Sequence, residues 1–429
     1  MFKRQFYDIV LVLLIILENL FLFCFYQKGI TDQATNSTGF FVTSVLIGLI
    51  VLIKFYNVSE TAPGKEPLMK RKYLMVLPGI CCLFYLNLIT IPLFKAFDFA
   101  KLSDIIPTIQ ILSKRFLSGQ YPYAPEAYEW LGHVGPPSYL PMHWLPFTFA
   151  EFFHFDYRTI SFTIWCIGAF VVFIRTIRSD QLWIQILVPL LMFFSYWLII
   201  IQYSSVIAGT VEIMIAGYYM LLIVGLDQKN VFITGFCIAA CILSRYYIVL
   251  WLPLWMFVLL VSGNRKKLFR IGMVILFFIT FLYVIPFLSK NWSYLYASPA
   301  TYSNRAIGEW YRLNEKGLPA HLYSGTGFAY LFYNKYQPAN LMAGYIILKK
   351  TLFISLLSVI FIMGIWYWFN RKKINKEIFL LASFKIYLSV FLAFIVVPYS
   401  YLMVTSTFVS IAVFAEQSRY KLKRDVNQP

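Results

Sequence analysis

The sequence predicts an all-α fold, a polytopic bundle of about 12 transmembrane helices, on three observations. Of its 429 residues, 60% are hydrophobic and only 13% charged, against about 25% charged in soluble domains. The apolar runs are about 17–25 residues long, the length that crosses a bilayer as helix, and none alternates like a barrel strand. The 37 Lys and Arg outnumber the 19 Asp and Glu, and they cluster between the runs as cytoplasmic loops do. That clustering accounts for the net charge of +18 through the membrane and its anionic lipids, and no nucleic acid is implied.

Lys3 and Arg4 precede a first span at 7–26 and place the N-terminus in the cytoplasm. The run Phe6–Tyr26 is too long for a signal-peptide core and lacks a small-residue cleavage site, so it reads as a retained span. A second span at 39–56 completes an N-terminal hairpin, 1–72, which ends on Lys65, Lys70, Arg71 and Lys72. The third span, 73–94, leads outward and opens a core over 73–288 with a long external loop at 95–137. A simple connection between helices would take a few residues. Three more cytoplasmic points follow: Arg265, Lys266, Lys267 and Arg270; Arg371, Lys372, Lys373 and Lys376; Arg419, Lys421, Lys423 and Arg424. Between the first two lie a span at 271–288, a second external loop at 289–350 and a span at 351–369. Spans at 378–397 and 401–416 complete the C-terminal part, 351–429, with a cytoplasmic C-terminus, and the whole is one integral-membrane domain.

Parity constrains the middle, because Arg71 and Arg265 belong on one side. The candidates are 73–94, 138–154, 159–175, 182–201, 204–226 and the long stretch 231–262. Arg245 lies half-way along that stretch beside Ser244 and Tyr246, and a charge at bilayer depth is costly. Splitting the stretch puts Arg245 at an outer turn. One other candidate then fails to cross: 138–154, with Pro141, His143, Pro146, Glu151 and His154. Two alternatives stand beside this: 182–201, with Pro189, makes two half-passes, or 231–262 stays one helix and all six candidates cross.

The external loop 95–137 holds the chemistry. After Ser103 and Asp104, the residues Ile105, Ile106, Ile109, Leu112, Phe116 and Leu117 fall on a helical stripe, with Lys101, Gln110, Lys114 and Arg115 opposite. This predicts an amphipathic helix on the outer membrane surface, capped by Ser103 and stopped by Gly119 and Pro122. Asp104 stands at its start. It is either a cap and dipole partner or a general base for removing a hydroxyl proton; Asp98 is the second candidate.

At this point a resemblance enters. The run from Ser103-Asp104 through Gly119-Gln120-Tyr121-Pro122-Tyr123 to Tyr139-Leu140-Pro141 resembles the first external loop of GT-C-fold glycosyltransferases. It is most similar to glycosyltransferase family 87, the polyprenyl-phosphate mannosyltransferase-like group. Looser matches are Gln202 beside Ser204 and Ser205, and Arg245 before Pro253, where relatives often carry a basic residue. The resemblance covers about half the chain. Two departures are the extra spans before the loop and Arg in place of the more usual Lys. The resemblance implies an inverting transferase that moves a mannose-like hexose from a polyprenyl-phosphate donor to a lipid-linked or glycan acceptor, with Asp104 as base. A donor phosphodiester wants Arg or Lys; the candidates are Arg245, then Lys101 and Arg305, with His321 also able to bind phosphate. Sugar faces stack on aromatic rings, and the loop crowds Tyr121, Tyr123, Tyr128, Trp130, Tyr139 and Trp144, with His143 and Gln202 as further cavity residues.

The remaining motifs exclude more than they assign. His133, His143, His154 and His321 lack zinc spacing, so no metal site is readable; a divalent metal between Asp104 and the donor phosphate is the one metal left open. The six cysteines lie in apolar runs with no disulfide pattern. Ser324-Gly325-Thr326-Gly327 reads as a flexible turn without the lysine of a nucleotide loop. The second loop, rich in Trp292, Tyr294, Tyr302, Arg305, Glu309 and His321, is expected to fold over the first. Glu18, Glu212 and Lys385 lie inside spans, and pairing of Glu212 and Lys385 within the bundle is preferred to catalysis. Two rival readings stand beside the transferase: a lipid-linked glycan polymerase or ligase, and a lipid-glycan transporter or flippase, although no internal repeat is found. The Ile, Phe, Tyr and Lys bias points to the plasma membrane of a bacterium.

Overall fold

The computed structural model describes residues 2–57, 60–61, 76–125, 136–179, 181–337 and 340–422. The expectations for Lys65, Lys70, Arg71, Lys72, Tyr128, Trp130, His133, Lys423 and Arg424 lie outside the described residues. The described chain is helical apart from one two-residue pairing, β1 (Glu60–Thr61) with β2 (Lys421–Leu422).

The helices are α1 Phe2–Leu20, α2 Gln33–Phe55, α3 Leu77–Ala96, α4 Phe99–Leu102, α5 Ile105–Leu117, α6 Pro141–Trp144, α7 Phe147–Phe152, α8 Tyr157–Thr176, α9 Leu182–Gln202 and α10 Ser204–Gly209. There follow α11 Glu212–Leu226, α12 Val231–Ile242, α13 Leu252–Val261, α14 Arg265–Ile279, α15 Tyr294–Tyr311, α16 Ala329–Tyr336, α17 Leu341–Asn370, α18 Lys376–Ala393 and α19 Ser400–Gln417. Many open on the residues that local chemistry favours. Asp32 accepts from the Thr35 amide at 2.8 Å, Asp156 from Arg158 at 2.8 Å, Asn230 from Phe232 at 2.9 Å and Asn375 from Glu377 at 2.8 Å.

Among the described residues, seven helices are long and apolar enough to cross a membrane: α1, α2, α3, α8, α9, α14 and α17, with α1 and α14 each extended by a π-turn. Three shorter apolar helices follow the same pattern: α11, α12 and the 246–261 segment. At the centre α11, α18 and α19 are buried over almost their whole length. A bundle whose inner helices never meet lipid tolerates polar side chains there, provided each finds a partner. Lys385 meets Glu18 at 2.7 Å and Ser406 Oγ at 2.7 Å, and Ser410 donates to Glu18 at 2.6 Å. Lys54 meets Asp8 at 2.5 Å and Gln417 at 2.6 Å.

Contacts sort the connections into two ends. At one end the Asn57 amide donates to Lys373 O at 2.7 Å, Arg175 grips Glu416 at 2.9 Å and Asp227 at 2.7 Å, and Arg419 reaches Asp227 at 2.6 Å. The clusters Arg265–Arg270, Arg371–Lys376 and Arg419 belong here, so we call it the basic end. At the loop end, Gln33 donates to Gly325 O at 2.7 Å, the Phe328 amide to Ala393 O at 2.7 Å, Tyr294 to Pro137 O at 2.5 Å and the Met142 amide to Leu243 O at 2.8 Å.

Several expectations need correction. The stretch 138–154, the candidate expected not to cross, folds as two short helices, α6 and α7, because Pro141 and Pro146 each start a new turn. The 182–201 run is a single helix through Pro189, not two half-passes. The 231–262 run breaks at 243–245, the split that Arg245 favoured. The last long span is α17, which starts at Leu341, so the second loop is shorter than 289–350. The amphipathic helix exists as α5 and Ser103 Oγ does accept from the Ile105 amide at 3.2 Å. Its stripe, however, is not laid on lipid: Ile105, Ile106, Ile109 and Leu112 are buried in protein, packed toward α7. Gly119, at φ +71°, closes the helix with Gln120 N bonded to Arg115 O at 2.8 Å, a left-handed stop that glycine adopts without strain. Nor is 324–327 a loose turn. A Cβ on Gly325 would stand 1.9 Å from Pro398 O, so only glycine allows the second loop to press against 394–400.

Candidate functional site at the loop end

The site begins with a clamp. Arg158, on the first turn of α8, is held by Asp156 at 2.6 Å and donates to Phe94 O at 2.5 Å and Phe97 O at 2.8 Å. Its guanidinium also lies against the rings of Phe94 and Phe99, at 4.9 and 5.2 Å. These bonds fix the end of α3 and the start of α4, the root of the segment that presents Asp98 and Asp104.

The two carboxylates part company here. Asp98 caps α4 by accepting from the Ala100 amide at 3.1 Å and faces Lys101 at 3.9 Å, both side chains outward in solvent. Asp104 is also exposed, but its side chain makes no cap bond at the start of α5. Ser103 takes that duty instead.

Tyr139 is where the loops converge. It lies within electrostatic reach of Asp104, Arg245, Arg305 and Glu212. Burial, reinforced by Asp104, raises its phenol above the ordinary value. Its ring stacks on His143 at 4.5 Å. His143 is fully buried, which with the nearby Arg245 guanidinium lowers its pKa well below the usual imidazole range. Behind them Arg245 is ion-paired with the buried Glu212. Arg245 sits at the turn after α12, and Glu212 opens α11.

The second loop supplies the facing wall. Arg305 and Glu309 lie one turn apart on α15, and His321 Nε2 stands 3.6 Å from Glu309. His321 packs on Tyr399 at 4.8 Å, and Tyr399 stacks on Tyr401 at 5.0 Å. Tyr399 feels both Glu309 and Asp104, and Tyr401 feels Arg245 and Glu212. Burial is the main cause that lowers His321, with Glu309 opposing it.

Buried polar atoms normally find partners. Here Glu212 Oε2, Arg245 Nε, Arg305 Nε and Nη2 and the Tyr247 hydroxyl have no hydrogen-bond partner among the described residues. Such a concentration fits a surface built to receive a polar guest or water.

The other sequence candidates fall elsewhere. Tyr123 and Trp144 are closed inside an aromatic core: Trp144 Nε1 donates to the Tyr123 hydroxyl at 2.8 Å, and Tyr294 and Phe287 pack on Tyr123 at 4.3 and 5.5 Å. Both pack the loop down rather than face a sugar. Tyr121 lies at the edge of that core, its ring 6.1 Å from Tyr123. Lys101 points into solvent. Gln202 ends α9, half-buried, next to Tyr203, whose ring meets Phe23 at 5.9 Å. Glu212 and Lys385 do not pair with each other, since each is claimed by a different partner, Arg245 and Glu18. Among the described residues, no three His, Cys, Asp or Glu side chains gather in a group that could hold a metal ion. Sequence reasoning missed Tyr399 and Tyr401. The signal was Pro398-Tyr399-Ser400-Tyr401, a polar interruption between two apolar runs. Compared with known protein families, with curated proteins and with solved structures, the chain gives no match.

Proposed function

We propose that the protein is an inverting glycosyltransferase that takes a hexose from a polyprenyl-phosphate donor at the outer face of a bacterial plasma membrane. One observation carries the reading. Asp104 from the first loop and Arg305 from the second, about two hundred residues apart, both fall within electrostatic reach of Tyr139. A carboxylate and a guanidinium with unanswered donors near one tyrosine are groups that sugar transfer from a phosphodiester can use.

Arg305 is the better phosphate ligand. Arg245 is already neutralised by Glu212, whereas Arg305 has Nε and Nη2 unanswered. A guanidinium presents paired donors to phosphate oxygens. The half-buried rings of Tyr139, backed by His143, and of the stacked pair Tyr399–Tyr401 offer faces to the sugar. An acceptor hydroxyl, lipid-linked or on a glycan, attacks the anomeric carbon. The carbon–oxygen bond to phosphate breaks, polyprenyl phosphate leaves with the electron pair, and Asp104 takes the hydroxyl proton. The reading includes a GT-C arrangement of about 12 crossings, in which the seven long helices alternate with α11, α12, the 246–261 segment, α18 and α19. With the basic end cytoplasmic, both termini are cytoplasmic and the loops external.

The test is transfer from a labelled polyprenyl-phosphate sugar to a membrane extract, wild type beside Asp104→Asn. Loss of about 10²–10⁴ in rate, with donor still bound, supports Asp104 as base. Equal transfer by both overturns that role, and no transfer with any common donor overturns the transferase reading.

A further inference from the structure

At the opposite end of the molecule, α13 and α17 splay to leave a cleft of about 570 Å³ lined by Pro253, Phe257, Phe361, Gly364, Ile365 and Trp368. That volume is in the range of ligand pockets, and the walls are apolar throughout. The cleft opens outward from the bundle: Phe361 and Phe369 beside it are 70% and 77% exposed. Gly364 makes it, since side chains continue on either side and none fills this position. Two helical turns further along, about 10 Å, the helix ends at Arg371, whose guanidinium lies on the Trp368 ring at 4.4 Å. Arg371 and Lys372 are exposed there, and so are Arg265 and Lys266 at the start of α14, which packs on α13. Glu377, a carboxylate that follows the Arg371–Lys376 cluster, is occupied by Lys376 at 3.5 Å.

We propose that this cleft binds one chain of an anionic phospholipid, with the lipid phosphate held by Arg371 and its cationic neighbours. The occupant follows from the arrangement. A dry slot running along the membrane-facing surface accepts a hydrocarbon chain. The cations above it sit at the depth where a phosphate would stand, and the excess of cations over free carboxylates selects a net negative headgroup over a zwitterionic one. The Arg371 guanidinium, steadied on Trp368, joins the two parts. The inference does not depend on the transferase reading.

Native mass spectrometry of the detergent-purified chain, titrated separately with phosphatidylglycerol and phosphatidylcholine, tests it. Wild type is expected to retain phosphatidylglycerol more tightly, and Arg371→Gln to weaken that retention about fivefold. Gly364→Phe fills the slot. Its Cβ would meet only the Leu254 and Phe257 side chains, at 3.6 and 3.9 Å, so the helices need not move. It is expected to remove the tightest-bound lipid. Ile365→Trp, from an exposed position on the same wall, should do likewise. Lys316→Gln, in the second loop, is expected to change nothing. Equal retention of the two lipids, unchanged phosphatidylglycerol binding in both filled variants, or displacement of lipid by a second copy of the chain overturns the proposal.

Discussion

Glu212 and Arg245 form an ion pair that joins the start of α11 to the turn after α12, at the floor of the loop-end site. Glu212 is fully buried, and its second oxygen and Arg245 Nε have no hydrogen-bond partner among the described residues. Removing one half of such a pair leaves a buried charge, which costs about 3–5 kcal/mol. Glu212→Gln should lower stability by that order in thermal unfolding. Glu212→Leu combined with Arg245→Met should recover most of it. A double variant as unstable as the single one would show that the pair is not a closed unit.

Arg305 should behave in the opposite way. It forms no ion pair among the described residues, so Arg305→Gln is expected to leave stability within about 0.5 kcal/mol. Donor binding should weaken roughly tenfold to a hundredfold, the worth of hydrogen bonds to a charged group. A donor titration beside a melting curve separates the two arginines. Similar donor affinity in wild type and Arg305→Gln would return the phosphate to Arg245.

Asp98 is a cap and should act as one. Asp98→Asn keeps the capping oxygen and is expected to be silent in both stability and transfer. Asp98→Ala should cost at most about 1–2 kcal/mol, seen as a lower melting temperature, and transfer should persist. Loss of transfer in Asp98→Asn would move the base to Asp98.

Arg158 is a positioning residue. Its planar fork serves Asp156, Phe94 O and Phe97 O together, a geometry that an ammonium cannot copy. Arg158→Lys should cost about 2–3 kcal/mol and speed amide exchange through residues 94–104. Unchanged exchange there would remove the clamp from the account of how Asp104 is held.

His321 gives a pH signature. Burial, and Arg312 to a smaller degree, hold its folded-state pKa below the usual 6.5, against the pull of Glu309. The unfolded chain therefore takes up a proton first as pH falls. The stability that the neutral imidazole contributes is complete above about pH 6.5 and declines as pH drops through that value toward the folded pKa. His321→Gln should flatten the stability profile over that window. A profile with the same slope in both proteins would place the titration elsewhere.

Much of the helical framework was legible because hydropathy depends only on local composition. The break at Arg245 was legible too, since a charge between Ser244 and Tyr246 marks a turn rather than mid-membrane helix. What failed were inferences that needed neighbours. The stripe of Ile105, Ile109 and Leu112 has the same period whether it faces lipid or protein. Tyr123 and Trp144 have the composition of a sugar platform, and only packing against Phe287 and Tyr294 shows them closed. Of the candidate site, Asp104, Tyr139, Arg245 and Arg305 could be found from loop position. Tyr399 and Tyr401 could not, because they reach the site from the C-terminal third, where nothing in the local pattern names Asp104 or Glu309 as a neighbour.

The partners of Glu18 have a consequence for how the protein is made. Lys385 lies 367 residues further along the chain, and Ser406 and Ser410 later still. At ribosomal speeds of about 5–20 residues per second, Glu18 waits on the order of 20–70 seconds for its cation. During that interval the first hairpin holds an unmatched acid in the bilayer. Insertion of the N-terminal helices is thus provisional until the last two helices arrive. A chain that stalls before Lys385 would leave that acid unmatched, a defect open to membrane quality control.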